Sequence, residues 1–177
     1  MTLSSAPKQK PTSWTVHKFG GTSVLNAERY RNVARILEAE RARNPEVRLA
    51  VVLSAMKGVT DGLIELVERA RRKDPSYTAL LAELKTRHDQ AIHDLGVKSV
   101  QVQLNDQFSK IEEVVRGVLH AGSASERIVE WVSGHGEVWS ALIFSEFLKN
   151  NTSDFASDSG TASTSTSSAH PTFLDAR

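Results

Sequence analysis

The chain has 177 residues, with 22 lysines and arginines against 21 aspartates and glutamates, for a formal net charge of +1 with histidine neutral. That balance argues against a nucleic-acid binder working by bulk charge, and 40% hydrophobic with 24% charged residues describes a chain able to build a core. The absence of cysteine removes a disulfide scaffold, a thiolate zinc site and a cysteine nucleophile, and it permits the cytosol.

Residues 1–13 carry two lysines and two prolines without an apolar stretch, which reads as a loose tail and not as a secretory signal. Two short, valine-rich runs, 14–19 and 47–53, are bounded by Gly, Pro or Ser and predict buried strands. Apolar runs such as Leu49 to Leu53 fall far short of the roughly 20 residues a bilayer span needs, so no membrane crossing is expected. Between the strands, Tyr30, Val33, Ile36, Leu37 and Ala39 recur at helical spacing behind Asn26, a plausible N-cap. A second helix is predicted from Asp61 to about Arg72, ended before Pro75. Two more follow over 77–95 and 105–120, and a fifth begins near Ser125, breaks around Ser133-Gly134-His135-Gly136 and resumes through Leu148. The order strand, helix, strand and then a helical block predicts an α/β layered domain whose first two strands are parallel neighbours. Residues 150–170 hold seven serines and four threonines with Phe155 as the sole large apolar side chain, so they read as a flexible linker before 171–177.

Chemistry concentrates in Lys18-Phe19-Gly20-Gly21-Thr22-Ser23-Val24, between the first strand and the first helix. Two glycines let the backbone turn sharply and let a ligand approach main-chain N–H groups, while a following helix turns its positive end to the same space. Such a loop suits an anion, and Lys18 at the strand end would add an ammonium in the crevice where open α/β sheets bind ligands. An ordinary strand-to-helix turn with an exposed lysine is the competing reading. A Walker A loop is excluded, because there the lysine follows the glycines.

These residues resemble the opening motif of aspartate kinases in the amino-acid kinase family, and three further segments agree in order. Ser54-Ala55-Met56-Lys57-Gly58-Val59-Thr60-Asp61 is similar to the family's Ser-Ala-Met-x-Gly-Val-Thr-Asp run, Gly136-Glu137 to its Gly-Glu helix start, and Leu174-Asp175-Ala176-Arg177 to a later stretch. The resemblance implies a three-layer α/β/α sandwich with a mainly parallel sheet, incomplete at its C-terminus, with 14–149 and 171–177 as parts of the kinase domain. It implies that Lys18 contacts the phosphates and the transferring phosphoryl group, that Gly20 and Gly21 supply backbone donors, that Ser54 and Thr60 bond in the amino-acid site or at its phosphate edge, and that Glu137 pairs with the substrate ammonium. Read without the family, Ser54 and Thr60 bracket a glycine-containing loop at a strand end, compatible with a helix cap near Asp61, and Glu137 in its apolar block needs a partner, either a substrate ammonium or a neighbouring Lys or Arg.

The implied reaction is ATP-dependent phosphorylation of the L-aspartate side-chain carboxylate to 4-phospho-L-aspartate, with Mg²⁺, as the first step toward lysine, threonine and methionine. A cytoplasmic homo-oligomer that binds small molecules is implied, in one or two functions per polypeptide. The 177-residue chain alone is expected to be inactive, since the nucleotide-base pocket and the carboxylate-gripping arginine of the family lie in later segments, and sparingly soluble, since a sheet without its later strands exposes an unpaired edge and apolar surface. A non-catalytic fragment that binds an amino acid or a partner subunit is the alternative, and a relative acting on glutamate or carbamate is disfavoured by the Ser54 to Asp61 run. His135 with Glu137 is too small a set for a metal, His88 and His93 share a helical face poorly, and Arg69, Arg71, Arg72 and Lys73 read as a solvated helix end.

Overall fold

Strand-forming and helix-forming patterns alternate along the chain, and they order it as expected. The computed structural model describes residues 13–151. Strand β1 (Ser13–Phe19) leads through helix α1 (Ala27–Arg43) to strand β2 (Val47–Leu53). Five helices follow: α2 (Val59–Arg71), α3 (Tyr77–Leu95), α4 (Gln101–Ala121), α5 (Glu126–Ser133) and α6 (His135–Asn151). Ser13 therefore belongs to β1, and Asn150 and Asn151 belong to α6. The rest of the expected tail, the serine-rich linker and 171–177 lie outside the described residues.

β1 and β2 pair in parallel, with Ser13 opposite Val47 and Phe19 opposite Leu53. A parallel pair needs a crossover, which α1 supplies. Side chains alternate across the sheet, so Phe19, Leu49, Val51 and Leu53 pack on the helical core while Trp14, Val16 and Val52 point away. Those three are 63%, 64% and 49% exposed, and the Arg48 guanidinium lies 5.5 Å from the Trp14 ring centroid. Of the three layers implied by the resemblance, the described residues thus show the sheet and helices on one of its faces.

α1 is capped as expected, the Asn26 side-chain oxygen accepting from the Arg29 N–H at 3.1 Å. Its buried stripe is Tyr30, Val33, Ala34 and Leu37, whereas Ile36 and Ala39 are exposed. At 3.6 residues per turn those two fall outside the arc that 30, 33, 34 and 37 share. α2 starts at Val59, two residues before the expected Asp61, because Gly58 takes φ +81° and turns the chain into the helix. α4 starts at Gln101 and not Asn105, led in by a single 3₁₀ turn over Lys98–Val100. The interior is helical and aromatic: Phe108 and Trp139 stack with centroids 4.2 Å apart, and the buried His88 meets the Trp139 ring edge-on at 4.8 Å.

Candidate active site

The loop 54–60, between β2 and α2, is where the other segments converge. The Ser54 N–H donates to the Phe19 carbonyl at 3.0 Å, continuing the β1–β2 ladder one step past the strands. The Lys57 N–H donates to the Gly21 carbonyl at 3.1 Å, which lays the glycine turn on the same loop. The Ser23 N–H closes that turn onto the Gly20 carbonyl at 2.8 Å.

The two glycines have different reasons to be glycine. A Cβ at Gly21 would stand 2.8 Å from the Ala55 carbonyl oxygen, so only a bare Cα fits against the loop. A Cβ at Gly20 would meet nothing within 4 Å, which leaves that side open to a ligand. Among the described residues the N–H groups of Gly20, Gly21 and Thr22 donate to no backbone carbonyl outside the regular elements. Lys18 emerges opposite Val52, exposed, on the uncovered face of the sheet. An open backbone turn with no side-chain obstruction at Gly20, close in sequence to an exposed ammonium, fits a phosphate.

α6 brings the carboxylate. Its second residue, Gly136, packs so closely on the loop that a Cβ would lie 2.7 Å from the Ala55 Cβ and 3.1 Å from Val59 Cγ1. Glu137 follows, half-buried, and among the described residues it has no ion-pair partner. The neighbouring Lys or Arg considered for it from sequence is therefore not among them. Thr60 is half-buried in the first turn of α2, and the N-cap is Gly58, with no side-chain hydrogen bond. A capping role for Ser54 or Thr60 near Asp61 is thereby excluded within these residues. Lys18, Gly20, Gly21, Ser54, Thr60 and Glu137 thus sit on, or next to, segments that touch one loop.

α1, by contrast, begins only at Ala27 and carries Glu28 in its first turn, so the glycine turn does not open directly onto its positive end. His135 is not a loop residue, as its place beside two glycines suggested. It opens α6, 6% exposed, with Nδ1 2.8 Å from the Trp131 carbonyl and its ring against Trp131 and Trp139. No cluster of three or more His, Asp or Glu gathers among the described residues to hold a metal. Arg69 and Arg72 meet Glu65 at 2.9 and 3.2 Å, and Arg71 meets Glu68 at 2.8 Å, all at a solvated helix end. Sequence reasoning passed over Gly136 as a contact, for which the Gly-Glu pair was the only signal.

A model of the amino acid kinase family matches residues 13–168. Over 146 residues the chain is 36% identical to bifunctional aspartokinase/homoserine dehydrogenase 1, chloroplastic, of Arabidopsis thaliana, covering 80% of this chain and 16% of that protein. For the Zea mays protein of the same description the identity is 39% over 146 residues, covering 80% and 15%. The chain therefore spans about one sixth of the length of these curated relatives. Among solved structures, E. coli aspartokinase III in complex with aspartate and ADP, in its R-state, superposes with a TM-score of 0.64 at 25% identity, covering 76% of this chain and 28% of that one. Among the described residues no helix is long and apolar enough to cross a membrane.

Proposed function

The chain belongs to the amino acid kinase family, and on that premise we propose that it carries the phosphate-binding turn and acceptor loop of an aspartate kinase. The reaction is transfer of the ATP γ-phosphoryl group to the side-chain carboxylate of L-aspartate. The observation that carries the reading is the convergence of the Gly20-Gly21 turn and the Gly136-Glu137 helix start on the loop 54–60. The relatives' names and the aspartate and ADP bound to E. coli aspartokinase III support it.

An aspartate carboxylate with a reference pKa of about 3.9 is ionised at neutral pH, so no general base is needed. One carboxylate oxygen attacks the γ-phosphorus, the bond from that phosphorus to the β,γ-bridging oxygen breaks, and ADP leaves with the electron pair. The work left to the protein is to hold two anions in line and offset their charge. In this reading the Lys18 ammonium lies against the phosphates, the Gly20 and Gly21 N–H groups donate to them, and the Ser54 and Thr60 hydroxyls donate at the acceptor site. Glu137 accepts from the substrate α-ammonium. Mg²⁺ belongs to the reading as the companion of the nucleotide, offsetting phosphate charge when bound, and the described residues offer no cluster to hold it. The protein is cytoplasmic and homo-oligomeric in this reading. Two relatives are chloroplastic by name, and imaging of a tagged chain decides the compartment.

ADP release that requires aspartate, ATP and Mg²⁺ together, measured on the 177-residue chain and on any longer reading frame that contains it, tests the proposal. Lys18→Met should lower turnover by at least about 100-fold, the scale of losing a charge-stabilising donor. Its denaturation midpoint should not move, since Lys18 is exposed. A variant with near-normal turnover would sink the assignment.

A further inference from the structure

Lys57 occupies the one unspecified position of the Ser54 to Asp61 run, and the structure sets its backbone against the glycine turn. The Lys57 N–H donates to the Gly21 carbonyl at 3.1 Å, and a Cβ at Gly21 would stand 3.2 Å from the Lys57 Cα. Ala55 and Met56 before it and Val59 after it are buried, at 3%, 2% and 0% exposure, so the core sets the backbone from which Lys57 projects. The Lys57 side chain is nevertheless exposed, and among the described residues it meets no carboxylate. Lys85, Lys110 and Lys149, by contrast, reach Asp89, Asp106 and Glu146 at 2.7, 2.7 and 3.6 Å. Asp61 and Glu137, the carboxylates on the segments that touch this loop, make no ion pair with Lys57 among the described residues.

An exposed ammonium is satisfied by water, so it is the place of Lys57 and not an unmet bond that gives it a role. Its charge sits at the tip of a flexible four-carbon stem rooted against Gly21. One residue away is Gly20, where a Cβ would meet nothing within 4 Å. Lys18 approaches the same turn from the end of β1, two residues before Gly20. The phosphates of ATP carry several negative charges, more than one ammonium offsets. With a net charge of +1 the chain as a whole supplies little attraction, so the positive potential at the turn comes from cations placed there.

We propose that Lys57 is a second cation for the nucleotide phosphates, reaching the Gly20-Gly21 turn from the acceptor loop while Lys18 reaches it from the strand. The inference rests on the aspartate kinase reading and adds to it a residue for nucleotide binding. A point charge on a flexible stem asks for no particular fork geometry, so arginine should restore most of the effect and a neutral side chain none of it.

The test uses the full polypeptide carrying these residues. Lys57→Ala should raise KM for ATP by about threefold to tenfold, the scale of one partly solvated charge-assisted contact, and leave KM for aspartate within about twofold, with Lys57→Arg near the parent. Its denaturation midpoint should not move, since the side chain is exposed. Salt gives a readout that a structural role would not shift: KM for ATP in the parent should climb as KCl screens the phosphates, and the climb should be shallower in Lys57→Ala. An unchanged KM for ATP in the folded variant, or a salt dependence as steep as the parent's, overturns the proposal whatever happens to kcat. Should the variant fail to fold, acetylation of the unaltered protein by acetic anhydride decides: saturating ATP should slow modification of Lys57, read by peptide mass, and equal rates with and without ATP overturn it. A parent protein with no aspartate-dependent ADP release overturns the function reading and this inference together, whereas turnover with a KM for ATP unmoved by Lys57→Ala overturns the inference alone.

Discussion

His88 is a side chain whose charge state the fold decides. Its Nδ1 lies 2.7 Å from the Leu84 carbonyl, and a carbonyl only accepts, so Nδ1 carries the proton and Nε2 is a bare acceptor among aromatic rings. Burial outweighs the Leu84 bond and pulls the pKa from 6.5 down to about 4. The unfolded chain therefore binds a proton at a pH where the folded chain refuses it. The contribution of His88 is fully present above pH 6.5 and is lost as the pH falls toward 4, about 3 kcal/mol over that window. Urea midpoints measured from pH 7.5 to 4.5 should fall on the acid side, and His88→Leu should flatten that limb. An equally steep limb in the variant would show that other groups drive the acid loss.

Among the elements, the contact between α6 and the loop 54–60 decides where Glu137 stands. Gly136→Ala would press a methyl to 2.7 Å from the Ala55 Cβ, and relief requires α6 or the loop to move. Overpacking of this kind costs about 1–3 kcal/mol. The expected result is a lowered denaturation midpoint together with a raised KM for aspartate; an unchanged KM would mean that Glu137 does not set the acceptor site. The Gly136 contact also marks where sequence reading stops. Both strands, the parallel pairing, the Asn26 cap and the bounds of α3 were legible, because β-branched runs, helical spacing and caps are local signals. Start points were less so: α2 and α4 begin early because a left-handed glycine and a 3₁₀ turn set them, not the apolar stripe. The residues proposed for the site were named from their motifs, and the structure brings the segments that carry them to one loop. That Gly136 touches Ala55, or that the Lys57 N–H meets the Gly21 carbonyl, depends on how distant segments pack, and no spacing within one segment encodes it.

At the scale of the whole molecule, the sheet shows two characters. One face is sealed by helices, while the other presents Trp14, Val16 and Val52 to solvent across two neighbouring strands. Contiguous exposed apolar side chains on a short sheet favour contact between copies. The 177-residue chain should therefore self-associate, its weight-average sedimentation coefficient rising with concentration. Val16→Thr with Val52→Thr should weaken association by about tenfold, the scale of one to two methyl groups lost from a contact. A parent chain that sediments as a monomer at every concentration would contradict this. At the other extreme of burial is α2, where Val59, Leu63, Leu66, Val67 and Ala70 are all at 0% exposure among the helices around it. Local opening starts where burial is thin, so this helix is the last to come apart in native-state fluctuations. Its first turn carries Thr60, and Ala55 and Met56 are buried at the other end of the loop, so any movement of the loop has only the exposed Lys57-Gly58 step to start from.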